Sequence, residues 1–264
     1  MKTALTIAGS DCSGGAGIQA DLKTMSALGV FGMSVIVSVV AENTSRVISI
    51  EDVSPKLIAD QIDAVFEDIP VDAVKVGMLS TPACMKTVAD KLREYRPRHV
   101  VIDPVMYAKN GCPLMQENAI DTLIHTVVPL ATLLTPNIPE AEKISGMQIE
   151  TAEDMKAAAV RIQRMGAKAV LVKGGHALGD AQDILFDGEG FESYVRERIP
   201  TKNTHGTGCT LSSAIASFLA RGESLPCAVR QAKEYVTGAI AHALDLGQGC
   251  GPTNHFYRFA ELQS

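Results

Sequence analysis

The chain has 264 residues, 46% of them hydrophobic, which is enough for one large core or two modest ones. Its net charge of −6 and isoelectric point near 5.5 argue against a nucleic-acid partner, whose phosphates need a basic surface. The opening MKTALTIAGSD has one lysine and an apolar run too short for a secretory leader or a membrane span, so a cytoplasmic protein is expected.

Taken in order, short β-prone runs alternate with stretches of helical period, which predicts an α/β fold with a buried, mainly parallel sheet. A strand over 4–9 leads into GSDCSGGAGIQAD, where Gly14, Gly15 and Gly17 permit close backbone approach before a helix over 17–29. That loop reads either as a small-molecule cradle, with Asp11 and Asp21 as polar candidates, or as a tight strand-to-helix turn. A strand over 34–41, a helix over 54–68 capped by Ser54, a strand over 73–77 and a helix over 81–95 capped by Thr81 follow.

The next strand, 99–103, ends at Asp103, with Lys109 close behind; an aspartate there can orient a magnesium-bound water or cap a turn. A helix over 118–128 and a strand over 131–135 precede Asn137 and Glu140, set among two prolines. Their oxygens suit magnesium, and the same residues suit a capped helix with Pro139 in its first turn. After a helix over 151–166 capped by Thr151, a strand over 169–175 carries Lys173, which is costly to bury unless it meets an anion. Residues 183–199 predict an edge hairpin about an Asp-Gly-Glu-Gly turn.

Residues 203–210, NTHGTGCT, put Gly206, Thr207, Gly208 and Cys209 at the head of the apolar helix LSSAIASFLA. Inward-turned amides and a helix N-terminus make an anion cradle, and the same field is expected to lower the pKa of Cys209; a plain helix start with a structural cysteine also fits. A second helix, including QAKEYV, runs toward the C-terminus. Six scattered cysteines without a CxxC pair or histidines at metal spacing predict reduced thiols rather than zinc or disulfides. Without an internal repeat or a long linker, one domain over 1–264 is expected.

Six ordered motifs then resemble the ribokinase-like superfamily, and within it the hydroxymethylpyrimidine/phosphomethylpyrimidine kinases of thiamine synthesis. They are ALTIAGSDCSGGAGIQADLKT at the start, VGML at 76–79, DPVM at 103–106, LTPNIPEA at 134–141, VLVKGGH at 170–176 and NTHGTGCTLSSAIA at 203–216. The resemblance implies a three-layer sandwich with a small lid, for which YAKNGCPLM at 107–115 is the candidate, ATP as phosphoryl donor, magnesium, and a homodimer. It implies successive transfer to an aminopyrimidine's hydroxymethyl group and to the resulting monophosphate.

Carried over residue by residue, the resemblance makes Gly206, Thr207 and Gly208 the anion hole and Cys209 the base, where most relatives place an aspartate. Lys173 would meet the nucleotide phosphates, Lys233 would line the nucleotide pocket, and Asn137 with Glu140 would organise magnesium through water, with Asp103 nearby. Gly9, Ala16, Val40, Glu42 and Met78 match the pyrimidine-contacting positions, with Asp21 and Lys109 as further members of the site. Glutamine is usual at the position of Glu42, and a carboxylate cannot donate a hydrogen bond unless protonated. Pyridoxal or pyridoxine kinase is therefore the alternative on the same scaffold. A catalytically silent sensor is a third reading, opposed by retention of Lys173, Asn137, Glu140 and the anion-hole glycines.

Overall fold

The computed structural model describes residues 1–108, 111–175 and 181–259. Among these, nine strands form one sheet: β1 (Thr3–Asp11), β2 (Phe31–Glu42), β3 (Val47–Asp52), β4 (Ala73–Val76), β5 (Val100–Ile102), β6 (Leu133–Leu134), β7 (Val170–Lys173), β8 (Ala181–Phe186) and β9 (Phe191–Arg196). The spatial order is β3-β2-β1-β4-β5-β6-β7-β8-β9. Strands β2, β1, β4, β5, β6 and β7 are parallel, and antiparallel pairs extend both edges.

The longer helices are α1 (Gly17–Ala27), α2 (Pro55–Phe66), α3 (Pro82–Tyr95), α5 (Ile138–Ser145), α6 (Ala152–Gln163), α7 (Thr207–Ala220) and α8 (Leu225–Ala241), with a single turn α4 (Ile120–Thr122) between α3 and α5. Helices α2 to α6 cover one face, where Leu5, Ile7, Val35, Val74 and Val76 meet Ile58, Ile62, Met85 and Val88. The other face belongs to α7 and α8, where Ala73, Val101, Leu133 and Leu171 meet Leu211, Ile215, Phe218 and Tyr235, with α1 packed beside α7. The result is the three-layer α/β sandwich expected from alternating strands and helices.

Local chemistry sets the ends of these elements. Ser54, Thr81 and Thr151 accept hydrogen bonds from the amides of Leu57, Cys84 and Asp154, so all three expected caps are present. The edge hairpin is also present as β8 and β9, turned at Asp187, whose carboxylate accepts from Glu189 and Gly190. Two expectations change. The antiparallel β3 was not anticipated, because its exposed residues Glu51 and Asp52 break the apolar pattern of the buried strands. The helix expected over 118–128 is a succession of 3-10, α, π and 3-10 turns from Glu117 to Leu130, in which Val127, Val128 and β-branched neighbours crowd the ladder before Pro129.

Candidate active site

The carboxyl ends of the parallel strands open onto one cavity of ≈ 650 Å³, the place where an open parallel sheet gathers its ligands. Asp11 ends β1, Met78 follows β4, Asp103 follows β5, Asn137 follows β6 and Lys173 ends β7. The first turn of α7 enters the cavity opposite them.

Gly206 caps α7 with φ +78°, and a Cβ there would lie 1.8 Å from the carbonyl oxygen of Gly15. Only glycine combines that conformation with so close an approach to the β1–α1 loop. Thr207 donates its hydroxyl to the carbonyl of Thr204 at 2.7 Å, fixing the turn, while the amides of Gly208 and Cys209 occupy the first turn, where a helix supplies no acceptor of its own. A Cβ on Gly208 would stand 3.3 Å from Asp103 Oδ2 and 3.4 Å from Lys173 Nζ, so this glycine faces the polar centre of the cavity.

That centre is an ion pair, Lys173 Nζ to Asp103 Oδ1 at 2.6 Å, with Thr135 also donating to the carboxylate at 3.2 Å. Burial acts to lower the Lys173 pKa, but the charges of Asp103 and Glu140 outweigh it and raise it. Glu140 closes a reciprocal capping box with Asn137, accepting from its amide at 2.8 Å while Asn137 Oδ1 accepts from the Glu140 amide at 2.9 Å. Burial, assisted by Asp103, pushes the Glu140 carboxyl up to about 7 against the pull of Lys173. The helix-cap reading and the cavity reading of Asn137 and Glu140 are thus both satisfied by one arrangement. At the far end, Lys233 Nζ lies 2.6 Å from Asp183 Oδ2, whose other oxygen accepts from the Gly174 amide at 3.0 Å.

The opposite end of the cavity, beyond β1 and β2, is lined by Gly9, Val40 and Met78. The Cβ position of Gly9 is 3.1 Å from the Met78 sulfur and 3.8 Å from Val40 Cγ2, so the missing side chain leaves a slot between them. Ala16 and Glu42 complete the wall. Beside it Asp11 accepts from the amides of Ser13, Gly15 and Ala16 and from His205 Nε2 at 2.9 Å. Burial alone would raise its pKa; the bonds from His205, Ser13 and Ala16 overcome this and hold it at about 2. Burial and the charge of Asp11 push Glu42 up to about 7, against the pull of His205.

Two expectations are corrected here. Cys209 lines the cavity, but burial pushes its thiol up to about 11 against Lys75 and the Gly17 amide, so the helix end does not leave it acidic as expected. Asp21 does not reach the cavity wall: it is fully buried under the site, bonded to Lys75, Thr6 and Ser213. Lys109 and His176 lie outside the described residues, as does part of the lid candidate 107–115, whose described ends pair as Tyr107 with Pro113. The other expected residues, Gly9, Ala16, Val40, Glu42, Met78, Asp103, Asn137, Glu140, Lys173, Gly206, Thr207, Gly208 and Lys233, all line the cavity.

Sequence reasoning missed Lys75, the partnership of His205 with Asp11, and Asp183. Lys75 did leave a signal, since a lysine between Val74 and Val76 in a strand buried on both faces requires a counter-charge. His205 and Asp11 are 194 residues apart, and nothing local in either segment points to the other.

Residues 11–254 match the model of the phosphomethylpyrimidine kinase family. The chain is 55% identical over 252 residues to the thiamine biosynthesis bifunctional protein ThiED of Geobacter sulfurreducens, covering 95% of this chain and 51% of that protein. It is 50% identical over 260 residues to the hydroxymethylpyrimidine/phosphomethylpyrimidine kinase of Rhizobium meliloti, covering 97% of each. Among solved structures, the ADP complex of Bacillus subtilis pyridoxal kinase superposes with a TM-score of 0.91 at 41% identity, covering 97% of each chain.

Proposed function

The chain belongs to the phosphomethylpyrimidine kinase family, and from that premise we propose that it phosphorylates 4-amino-5-hydroxymethyl-2-methylpyrimidine with ATP and then converts the monophosphate to the diphosphate. The observation that carries this reading is the two-ended cavity, with fixed cations and a helix N-terminus at one end and the Gly9, Val40 and Met78 slot at the other. The ring occupies the slot, held by Glu42 at its polar edge. The nucleotide phosphates lie toward Lys173 and Lys233, and the amides of the Gly206–Cys209 turn receive the oxygens of the transferring group.

In the transfer, Cys209 acts as the thiolate, its own proton having first passed to solvent; the acceptor hydroxyl gives its proton to that sulfur as its oxygen bonds to the γ-phosphorus, and the bond from that phosphorus to the bridging oxygen breaks to leave ADP. Such a reaction has a loose transition state and responds chiefly to positioning and charge neutralisation. Asp103 and Glu140 are hard oxygen donors on one wall, and the raised Glu140 carboxyl ionises more readily beside a cation, so the donor set fits magnesium. When bound, magnesium neutralises charge on the phosphate oxygens. The chain's own part is to hold those carboxylates, which α5 does through the Asn137–Glu140 box.

We assign the protein to the cytoplasm as a homodimer, a state read from the family resemblance and supported by the antiparallel edge pair β2–β3, where Val39 and Ile48 are 52% and 63% exposed. No described helix is long and apolar enough to cross a membrane. Light scattering on the purified protein tests the dimer, and a monomer mass would remove it.

Pyridoxal phosphorylation is the second reading, favoured by Glu42 and by the superposition on a pyridoxal kinase. A coupled ATP-consumption assay with magnesium, run on hydroxymethylpyrimidine, its monophosphate and pyridoxal at matched concentrations, separates the two. Turnover on both pyrimidines with pyridoxal far behind is the expected result. Strong pyridoxal turnover with little on the monophosphate would replace it, and ATP turnover with none of the three would favour a silent sensor.

A further inference from the structure

The two walls of the slot beside Gly9 belong to different segments: Val40 stands on β2 and Met78 on the loop that leaves β4. Beside the slot the pairing of β1 with β2 also slips by one residue, from Ala8 with Ile36 to Gly9 with Ser38. Such a slip interrupts the regular ladder and re-aims the side chains that follow it. The separation of Val40 from Met78 therefore has to be set by contacts outside that ladder.

Two hydroxyls stand at matching places on either side. Ser38 lies two residues before Val40, and Ser80 lies two residues after Met78. Ser38 has no exposed surface and Ser80 is nearly as deeply buried, so each hydroxyl needs a partner within the protein. Both donate to the same atom, Asp52 Oδ1 on β3, at 2.7 Å and 2.6 Å. The antiparallel register of β2 with β3 sets Asp52 directly opposite Ser38, although the residue is otherwise exposed to solvent. Bonds from hydroxyls to a carboxylate at these lengths are stronger than bonds between neutral groups.

We propose that Asp52 is a positioning residue for the acceptor: by joining Ser38 to Ser80 it fixes the distance between Val40 and Met78, and with it the fit of the ring between them. Asp52, Ser38 and Ser80 do not line the cavity, so all three act through its walls. The Cβ position of Gly9 is 3.1 Å from the Met78 sulfur and 3.7 Å from the Ser38 carbonyl oxygen, so the slot is narrow and a small outward shift of either wall opens it. Dispersion contact with a flat ring falls steeply over such a shift. The proposal rests on the ring-binding role given to this slot above. The backbone of both segments has separate anchors, since the Gln116 amide donates to the Ser80 carbonyl at 3.0 Å and the Val53 amide to the Val37 carbonyl at 2.9 Å. Loss of the carboxylate should therefore loosen the slot without unfolding it.

The experiment is calorimetric titration of the full chain with hydroxymethylpyrimidine, pyridoxal and ADP in separate runs. In Asp52→Ala the dissociation constant of whichever ring the parent takes is expected to rise about tenfold, at the lower end of what losing a hydrogen bond to a charged group costs. The affinity for ADP is expected to stay unchanged. Asp52→Asn keeps an acceptor oxygen for the two serines and is expected to restore ring affinity, and Ser80→Ala, which cuts one arm, is expected to weaken it by a smaller factor than Asp52→Ala. If Asp52→Ala fails to fold by circular dichroism, Ser80→Ala decides, and unchanged ring affinity there overturns the proposal. Unchanged ring affinity in a folded Asp52→Ala overturns it too, as does an equal loss of ring and ADP affinity, or an Asp52→Asn protein as weak as Asp52→Ala. A parent that binds neither ring would remove the kinase reading and this proposal together. A parent that binds one ring, with variants that bind it equally well, would remove this proposal alone.

Discussion

Cys209 and Glu42 both line the cavity, and burial pushes both toward their neutral forms, the thiol to about 11 and the carboxyl to about 7. For the thiol, neutrality means that the sulfur has to lose its own proton before it can accept the hydroxyl's, so only the thiolate fraction can act as the base. Cys209→Ala is expected to lower kcat by about 10²- to 10⁴-fold, the usual contribution of a general base, with ADP affinity by calorimetry nearly unchanged. Near-normal turnover would remove the base assignment. For Glu42 the sign is that the protonated form, able to donate like glutamine, prevails below about pH 7 and is lost above it. The KM for the aminopyrimidine should therefore rise as pH passes upward through about 7, and Glu42→Gln should flatten that rise between pH 6 and 8. An unchanged slope in the variant would show that another group titrates.

Among the elements, the head of α7 was the most legible in the sequence and β3 among the least. NTHGTGCT announces itself because glycine, hydroxyl and thiol side chains have few reasons to cluster before an apolar helix. Ser54, Thr81 and Thr151 were equally readable, since a cap is a bond to an amide three residues away. The segment 117–130 was not readable, because its apolar spacing is helical while its crowding selects 3-10 and π turns instead. Within the head of α7 the two glycines do different work. Gly206→Ala places a Cβ 1.8 Å from a backbone oxygen at φ +78°, so it is expected to cost on the order of 3 kcal/mol of stability. Gly208→Ala meets only Asp103 Oδ2 and Lys173 Nζ, at 3.3 and 3.4 Å, so it should fold with a nearly unchanged melting temperature while losing nucleotide affinity. Denaturant melts and ADP titrations on the pair check this, and a Gly206→Ala protein as stable as its parent would contradict the close-approach argument.

At the scale of the whole molecule, the site is made by contacts that join segments remote in sequence, which is why the motifs were visible one by one and their partnerships were not. Asp11 with His205, Lys75 with Asp21, Lys173 with Asp103 and Lys233 with Asp183 each bring together segments at least 50 residues apart. The first of these ties the carboxyl end of β1 to the head of α7 and has a consequence for acid stability. The Asp11 carboxyl is held at about 2 in the folded chain, below its ordinary 3.8, so folding favours the carboxylate. The stabilisation is present above the unfolded value and amounts to about 2 kcal/mol at neutral pH by linkage. It declines as pH falls from about 4 toward about 2. Asp11→Asn should accordingly be less stable than the parent by a constant margin from pH 7 to 5 in urea titrations, with the margin narrowing below pH 4. A margin that stays constant into that acid range would mean that the protonated Asp11 carboxyl serves the amides of Ser13, Gly15 and Ala16 as well as the carboxylate does. The junction between β1 and α7 would then be held by shape rather than by charge.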